Sequence, residues 1–198
     1  MLRLLAELTT DENQQTRISA VEMMVQFGSI IKQEEKLPYL IPIIKSLSKD
    51  KTEEDHRVQG VVLLGRLAES LGAENIELYV FAFYEQLAHD QSPKVKKAVA
   101  SQMKNLIDVL RGKDDLLSRL YEIFVLLTSD EVWGVRKSCC ETFEVLCGSL
   151  EGEKHKEKRE RLTKIYLNML SDDSRWVKKK KKQKSKKKSK LKKLKKIG

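Results

Sequence analysis

Little in this chain is built to catalyse, to cross-link or to cross a membrane. It has only three cysteines, Cys139, Cys140 and Cys147. Cys139 and Cys147 are eight residues apart on one expected helix, about 12 Å at 1.5 Å per residue, which exceeds the disulfide limit of about 7 Å. The adjacent Cys139 and Cys140 point to different faces, so all three read as small apolar residues in a reducing compartment. Three histidines (His56, His89, His155) fall far apart in the chain. There is no His-Glu-x-x-His, Cys-x-x-Cys or Gly-x-Ser-x-Gly motif and no phosphate-cradling glycine loop. No catalytic residue, metal ligand or cofactor site is therefore assigned, and a non-enzyme is expected. No apolar run reaches the roughly 18 residues that a spanning helix needs. The start, Met1 to Leu8, is apolar too briefly for a signal peptide and has no small-residue cleavage site. An intracellular protein is expected.

Breakers are also scarce: nine glycines and three prolines in 198 residues, against abundant Leu, Lys and Glu, a composition that suits helices. The net charge of +10 is misleading, because residues 178–198 hold 14 lysines and no acid, and without them the remainder carries −4. A basic-surface argument for nucleic-acid binding thus applies to the tail and not to the body.

One phrase recurs through that body: an Asp, four residues, an apolar residue, then a base. Asp130, Val135 and Arg136 set it, and Asp90, Val95 and Lys96 repeat it, as do Asp172, Val177 and Lys178. Asp11, Thr16 and Arg17 place Thr in the apolar slot. Asp50, His56 and Arg57 fit with one extra residue. The bases fall at 17, 57, 96, 136 and 178, in steps of 40, 39, 40 and 42. A step near 40 is the signature of paired-helix repeats of the HEAT or armadillo kind. The fold class expected is all-α: a solenoid of about five helix pairs, the last incomplete, over residues 1–177, followed by a Lys-rich disordered tail at 178–198.

Each repeat should hold a helix A, a turn carrying the Asp, and a helix B. Leu2–Leu8 reads as the end of a first helix A. In repeat 2, helix A is expected from about Tyr39 to Ser48, with Pro42 in its first turn, and helix B from about Glu54 to a stop at Gly72. Repeat 3 should run from Asn75 to His89 and from Pro93, capped by Ser92, to Leu110. Repeat 4 should run from Asp115 to Leu127 and from Trp133 to Leu146, stopping near Gly148. In repeat 5, helix A should span Lys156 to Leu170. Two residues after each Asp lies the expected N-cap: Asn13, Thr52, Ser92, Val132 and Ser174. Val132 alone is a poor cap, in the turn that also carries Trp133. Either that turn is used for contact, or Asp130 or Ser129 caps and Trp133 staples the two helices.

Stacking puts the turns along one edge. Asp11, Asp50, Asp90, Asp130 and Asp172 should form one row, and Arg17, Arg57, Lys96 and Arg136 a neighbouring row. The Asp of one repeat is expected to pair with the base of the next, as exposed ion pairs of about 0–1 kcal/mol each that set register.

Two phrases go beyond the generic pattern. Ser129 to Cys139, Ser-Asp-Glu-Val-Trp-Gly-Val-Arg-Lys-Ser-Cys, resembles one repeat of the protein phosphatase 4 regulatory subunit 1 family, HEAT-repeat phosphatase scaffolds. Leu170 to Val177, Leu-Ser-Asp-Asp-Ser-Arg-Trp-Val, resembles the repeat that follows it there. The likeness is close over residues 114–177 and loose before. It implies a non-catalytic scaffold that binds the catalytic subunit of a Ser/Thr protein phosphatase through its turns. The partner-binding residues expected are Val132, Trp133, Gly134, Arg175 and Trp176. Family members are several times longer, and they continue past Trp-Val as an ordinary amphipathic helix B where this chain turns to lysine.

Other readings stay open. A different HEAT array, tubulin-binding or of the nuclear-transport type, would share the turns, although a mildly acidic body suits acidic tubulin poorly. The tail reads as a nuclear-localisation or nonspecific polyanion-binding segment, or as a basic amphipathic membrane contact through Leu191, Leu194 and Ile197. A third reading, preferred because lysine interrupts a repeat at its second turn, is a truncated, non-functional product read into A-rich nucleotides. A cytoplasmic location is expected, and a nuclear one as well if the tail is a localisation signal.

Overall fold

The computed structural model describes residues 1–174 and Val177, and the expected tail at 178–198 lies outside them. The elements are α1 (Leu2–Leu8), α2 (Gln14–Ile30), α3 (Gln33–Ser48), α4 (Glu54–Leu71), the short α5 (Ala73–Asn75), a π-helical turn (Ile76–Val80), α6 (Phe81–Ala88), α7 (Pro93–Val109), α8 (Asp114–Thr128), α9 (Trp133–Ser149), a 3-10 turn (Glu153–His155) and α10 (Lys156–Leu170). Among the described residues there is no strand. The architecture is an all-α solenoid in which A helices (α1, α3, α5 to α6, α8, α10) alternate with B helices (α2, α4, α7, α9).

The B helices carry the stacking. Packing runs α2 on α4, α4 on α7 and α7 on α9, with the A helix of each of the first four repeats laid against its own B helix. Residues at steps of three and four make this possible. On α7, Val95, Val99, Met103 and Leu106, with Leu110 at its C-cap, are fully buried and form one apolar stripe. Continuity comes from side chains that cross between repeats: the Thr142 hydroxyl donates to the Ala100 carbonyl at 2.8 Å, and that of Ser70 donates to the Gly28 carbonyl at 2.6 Å. The Tyr84 hydroxyl ties α6 to α7 through the Val99 carbonyl at 2.6 Å.

Several boundaries differ from expectation. Helix A of repeat 2 begins at Gln33, so Pro38 and Pro42 both lie inside it rather than at its start. Each removes one i to i−4 hydrogen bond. The burial of Leu40, Ile41, Ile44 and Leu47 carries the helix across them. Gly148 does not end α9, which continues to Ser149. The left-handed glycines are Gly72, Gly112 and Gly152, at φ of 80, 84 and 81°. Helix A of repeat 3 is broken by the π turn, which spacing alone did not reveal.

Candidate functional site: the turn edge

The recurring Asp has a local task and a long-range one. Locally, its Oδ1 accepts the backbone N–H two residues on, in all five turns: Asn13 to Asp11 at 2.8 Å, Thr52 to Asp50 at 2.9 Å, Ser92 to Asp90 at 2.8 Å, Val132 to Asp130 at 2.9 Å and Ser174 to Asp172 at 2.8 Å. This folds the turn and satisfies an N–H ahead of the helix. The base six or seven residues on clasps its own turn from the other side. Arg17 Nη1 donates to the carbonyls of Asp11 and Glu12. Arg57 Nη1 donates to Asp50 O, and Arg136 Nη1 to the carbonyls of Asp130 and Glu131.

The remaining guanidinium nitrogens reach forward. Arg57 holds Asp90 through two bonds, Nε to Oδ2 at 2.7 Å and Nη2 to Oδ1 at 3.0 Å. Arg136 holds Asp172 in the same way, at 2.7 and 3.0 Å. Lys96 pairs with Asp130. The expected sense of pairing is thus reversed: Arg57, Lys96 and Arg136 each reach the Asp of the following repeat. These pairs are also less exposed than expected, with the carboxylate side chains of Asp90, Asp130 and Asp172 retaining 10, 7 and 7% of their surface. The Asp90 carboxylate holds the Arg57 guanidinium above its usual pKa, as Asp172 does for Arg136.

Repeat 2 departs from the frame. Its extra residue places His56 Nδ1 at 2.9 Å from Asp50 Oδ2, so Asp50 is occupied and Arg17 reaches Asp55 instead, at 3.1 Å. Asp50 Oδ1 also accepts from Glu53 N, and the helix starts at Glu54 as expected, but with Glu53 rather than Thr52 at the N-cap. The Glu53 N–H and then His56 hold the Asp50 carboxyl well below the usual range.

Turn 4 carries the exposed apolar surface. Val132 occupies the N-cap with extended backbone and no side-chain cap, at φ −82° and ψ 113°, while Asp130 accepts the Val132 N–H as the Asp does in every turn. Trp133 leaves 43% of its surface in solvent, and Lys137 Nζ lies 5.6 Å from its ring centroid. A Cβ on Gly134 would approach nothing closer than Val132 Cγ1 at 4.0 Å, so its lack of a side chain bares the edge beside Trp133 rather than relieving crowding. Arg175 and Trp176 lie outside the described residues.

Sequence reasoning missed Leu126. It stands off the buried stripe of α8 and is 41% exposed; its misfit to that stripe was the available signal. Leu126, Val132 and Pro93 line a groove of about 470 Å³ between turns 3 and 4, together with polar residues that include His89, Gln91 and the Lys96–Asp130 pair. The edge therefore offers a groove of mixed polar and apolar lining and a half-exposed indole on a backbone held by the ladder. Among the described residues no group of three or more His, Cys, Asp or Glu is placed to hold a metal, and no helix is long and apolar enough to cross a membrane. Cys139 and Cys140 are buried, Cys147 is half-buried and all three are free thiols; burial pushes the Cys139 thiol well up. His155 is buried, its Nε2 3.3 Å from Asp114 Oδ1.

No protein-family model matches the chain. It is similar to human serine/threonine-protein phosphatase 4 regulatory subunit 1, at 25% identity over 182 residues, which is 90% of this chain and 19% of the relative. The rat protein of the same name is 26% identical over 185 residues, again 90% and 19%. The likeness thus extends through the first three repeats, where the motifs alone matched loosely. The chain spans about a fifth of the length of these curated relatives, which are regulatory subunits. Solved structures share the fold. A computationally designed armadillo repeat protein for modular peptide recognition superposes with TM-score 0.58 at 17% identity, covering 89% of this chain and 77% of that one. The complex of CpcE and CpcF of phycocyanin lyase from Nostoc sp. PCC7120 gives 0.64 at 15% identity, covering 89% and 93%.

Proposed function

We propose that this chain is a non-catalytic regulatory scaffold that binds the catalytic subunit of a Ser/Thr protein phosphatase of the phosphatase 4 type, using turn 4 and the groove beside it. The observation that carries this reading is a coincidence. Val132 and Trp133 keep 38 and 43% of their surface exposed, and they lie in the segment whose motif resembles the phosphatase 4 regulatory subunits. The ladder residues, by contrast, are accounted for by architecture. The half-exposed indole, with apolar neighbours and a polar rim, has the make-up of an interface anchor. Arg175 and Trp176, one repeat on in the same frame, extend the proposed contact. The location proposed is cytoplasmic, with the nucleus added if the tail directs import.

The test is capture of purified phosphatase 4 catalytic subunit by the full chain, with nuclease present and at about 0.3 M salt to screen the lysine tail. Trp133→Ala and Leu126→Ser should each weaken capture at least about tenfold, or about 1.4 kcal/mol, with an unchanged melting temperature. No capture by the native chain would overturn the reading. A Trp133→Ala protein that melts several degrees lower and binds as before would reassign Trp133 to architecture.

A further inference from the structure

We infer that the groove between α4 and α7, on the open face of the B-helix layer, docks a short extended segment of a protein partner in which acidic and apolar residues alternate. The inference goes beyond the phosphatase reading and does not depend on it.

α7 lies inside the array, with α4 packed on one side and α9 on the other. The exposure of its remaining face is therefore not an effect of either end of the chain. That face carries Lys94, Lys97, Ser101 and Lys104, all exposed, at the steps of three and four that share one side of a helix. The other lysines of α7 are engaged: Lys94 pairs with Glu54 and Lys96 with Asp130. Lys97 and Lys104 pair with no carboxylate among the described residues, although residues 1–177 carry a net charge of −4. Lys137, on α9 at the register of Lys97, adds a third cation beside the Trp133 ring. Two ammonium groups without counter-charges, on a body with an excess of acid, form a local site for an anionic partner.

The walls of the groove decide where that partner lies. On the α4 side, Val58 and Val62 hold the register positions of Lys97 and Ser101, and with Ala98 they form a half-buried apolar floor. On the α9 side, Glu141 and Glu144, both exposed, stand at the register of Ser101 and Lys104 and repel an anion. An acidic segment is thus placed over α4 and α7 rather than over α9. Further along, the groove opens to about 510 Å³ beside Gly65, Arg66 and Asn105, and there Glu69 and Asp108 end the stretch that an acid can occupy.

The spacings suit an extended chain. Lys97 and Lys104 are about 10 Å apart along the helix axis, and Val58 and Val62 about 6 Å apart, at 1.5 Å per residue. A strand rises about 3.3 Å per residue and sends alternate side chains to opposite sides. Two apolar residues at alternate positions, about 6.6 Å apart, match the valines. Three acids interleaved with them span about 13 Å and bracket the two lysines, whose flexible four-carbon stems take up the difference. A nucleic acid fits poorly, because its continuous row of phosphates would meet the carboxylates that bound the groove.

The probe is a fluorescein-labelled 12-residue peptide with the central run Glu-Leu-Glu-Leu-Glu, and its comparison has Gln for each Glu. Anisotropy titrations use the full chain, with nuclease present and at about 0.3 M salt to screen the lysine tail. The Glu peptide should bind at least about tenfold more tightly than the Gln peptide. Lys97→Glu with Lys104→Glu should weaken it at least about tenfold, and the milder Lys97→Gln with Lys104→Gln about threefold or more, with helical circular dichroism unchanged. Lys51→Glu with Lys164→Glu makes the same charge change at exposed sites elsewhere and should shift affinity less than about twofold. A benzophenone at the peptide centre should crosslink within residues 58–66 or 97–105. No binding by the native chain, equal effects of the two Glu pairs, crosslinks confined to residues 178–198, or a Gln peptide that binds as tightly as the Glu peptide would overturn the inference.

Discussion

Consider removing one rung of the ladder, the Arg57–Asp90 pair. Asp90 accepts three hydrogen bonds: Ser92 N at 2.8 Å, and Arg57 Nε and Nη2 at 2.7 and 3.0 Å. Asp90→Asn can keep the first, because an amide oxygen replaces Oδ1. It loses the charge and sets an NH2 donor against a guanidinium that only donates. The pair is bidentate, with side-chain exposures of 16% for Arg57 and 10% for Asp90. Breaking it should therefore cost more than a surface bridge, whose typical value is about 0–1 kcal/mol, and less than a fully buried one, about 3–5 kcal/mol. We expect about 2 kcal/mol for Asp90→Asn. Asp90→Ala should lose a further 1 kcal/mol or so, because the Ser92 N–H is then unpaired as well. Arg57→Met should cost about 2 kcal/mol, since it also abandons the Asp50 carbonyl. The Arg57→Met, Asp90→Asn cycle should give a coupling energy of about 1.5 kcal/mol. Urea titration followed by far-UV circular dichroism reads this directly. At a slope of about 2–3 kcal/mol/M, a 2 kcal/mol loss moves the midpoint down by about 0.7–1 M. Because the pair is mostly out of solvent, the coupling should persist at about 0.5 M salt. A coupling energy below about 0.5 kcal/mol, or one abolished by salt, would return the ladder to ordinary surface electrostatics.

Two glycines should respond to alanine with opposite signs. A Cβ on Gly60 would sit 2.9 Å from the Ser48 backbone nitrogen, so Gly60→Ala should lower stability by about 1–2 kcal/mol, overpacking outweighing the gain in helix propensity. Nothing lies within 4 Å of a Cβ on Gly148, inside α9, and Gly148→Ala should raise stability by about 0.5–1 kcal/mol; parallel urea titrations decide, and like signs would refute the close approach of α3 to α4 at Gly60. Acid should also act through the turns. Asp50 is held below the usual carboxylate range, so its contribution is fully present above the unfolded value of about 3.9 and is lost as pH falls below it. The urea midpoint should therefore drop more steeply below about pH 4 in the native chain than in Asp50→Asn, and equal slopes would rule out Asp50 as a source of the acid sensitivity.

The parts of this molecule legible in the sequence are those set by local spacing. The recurring Asp and base announced the repeat because of what they do within six or seven residues: the Asp takes the N–H two positions on, and Arg17, Arg57 and Arg136 take the turn carbonyls. The partner across the repeat boundary was not legible in the same way. Whether Arg57 meets Asp90 or an earlier Asp depends on the handedness of stacking, which a one-dimensional register does not contain. Repeat 2 shows how far a single insertion propagates. One added residue brings His56 onto Asp50, sends Arg17 to Asp55 and puts Glu53 at the N-cap. Boundaries failed where tertiary burial overrode local preference, as in α3, which runs through Pro38 and Pro42 because apolar residues on both sides are buried.

The candidate site divides along the same line. Val132 and Trp133 stood out because they break a local capping rule: the structure gives α9 no side-chain cap, and the turn is held instead by Asp130 on the Val132 N–H and by Arg136 on the Asp130 and Glu131 carbonyls. Leu126 breaks no local rule. It is an ordinary leucine in an apolar helix, and only its place just off the buried stripe, facing turn 4 across the groove, sets it apart. Spacing marks Leu126 as off the stripe, but what lies across the groove from it is not contained in its own sequence neighbours. That is why Leu126→Ser is the sharper test of the edge. Trp133 was selected from the pattern, and Leu126 enters only if the groove between turns 3 and 4 has the shape described.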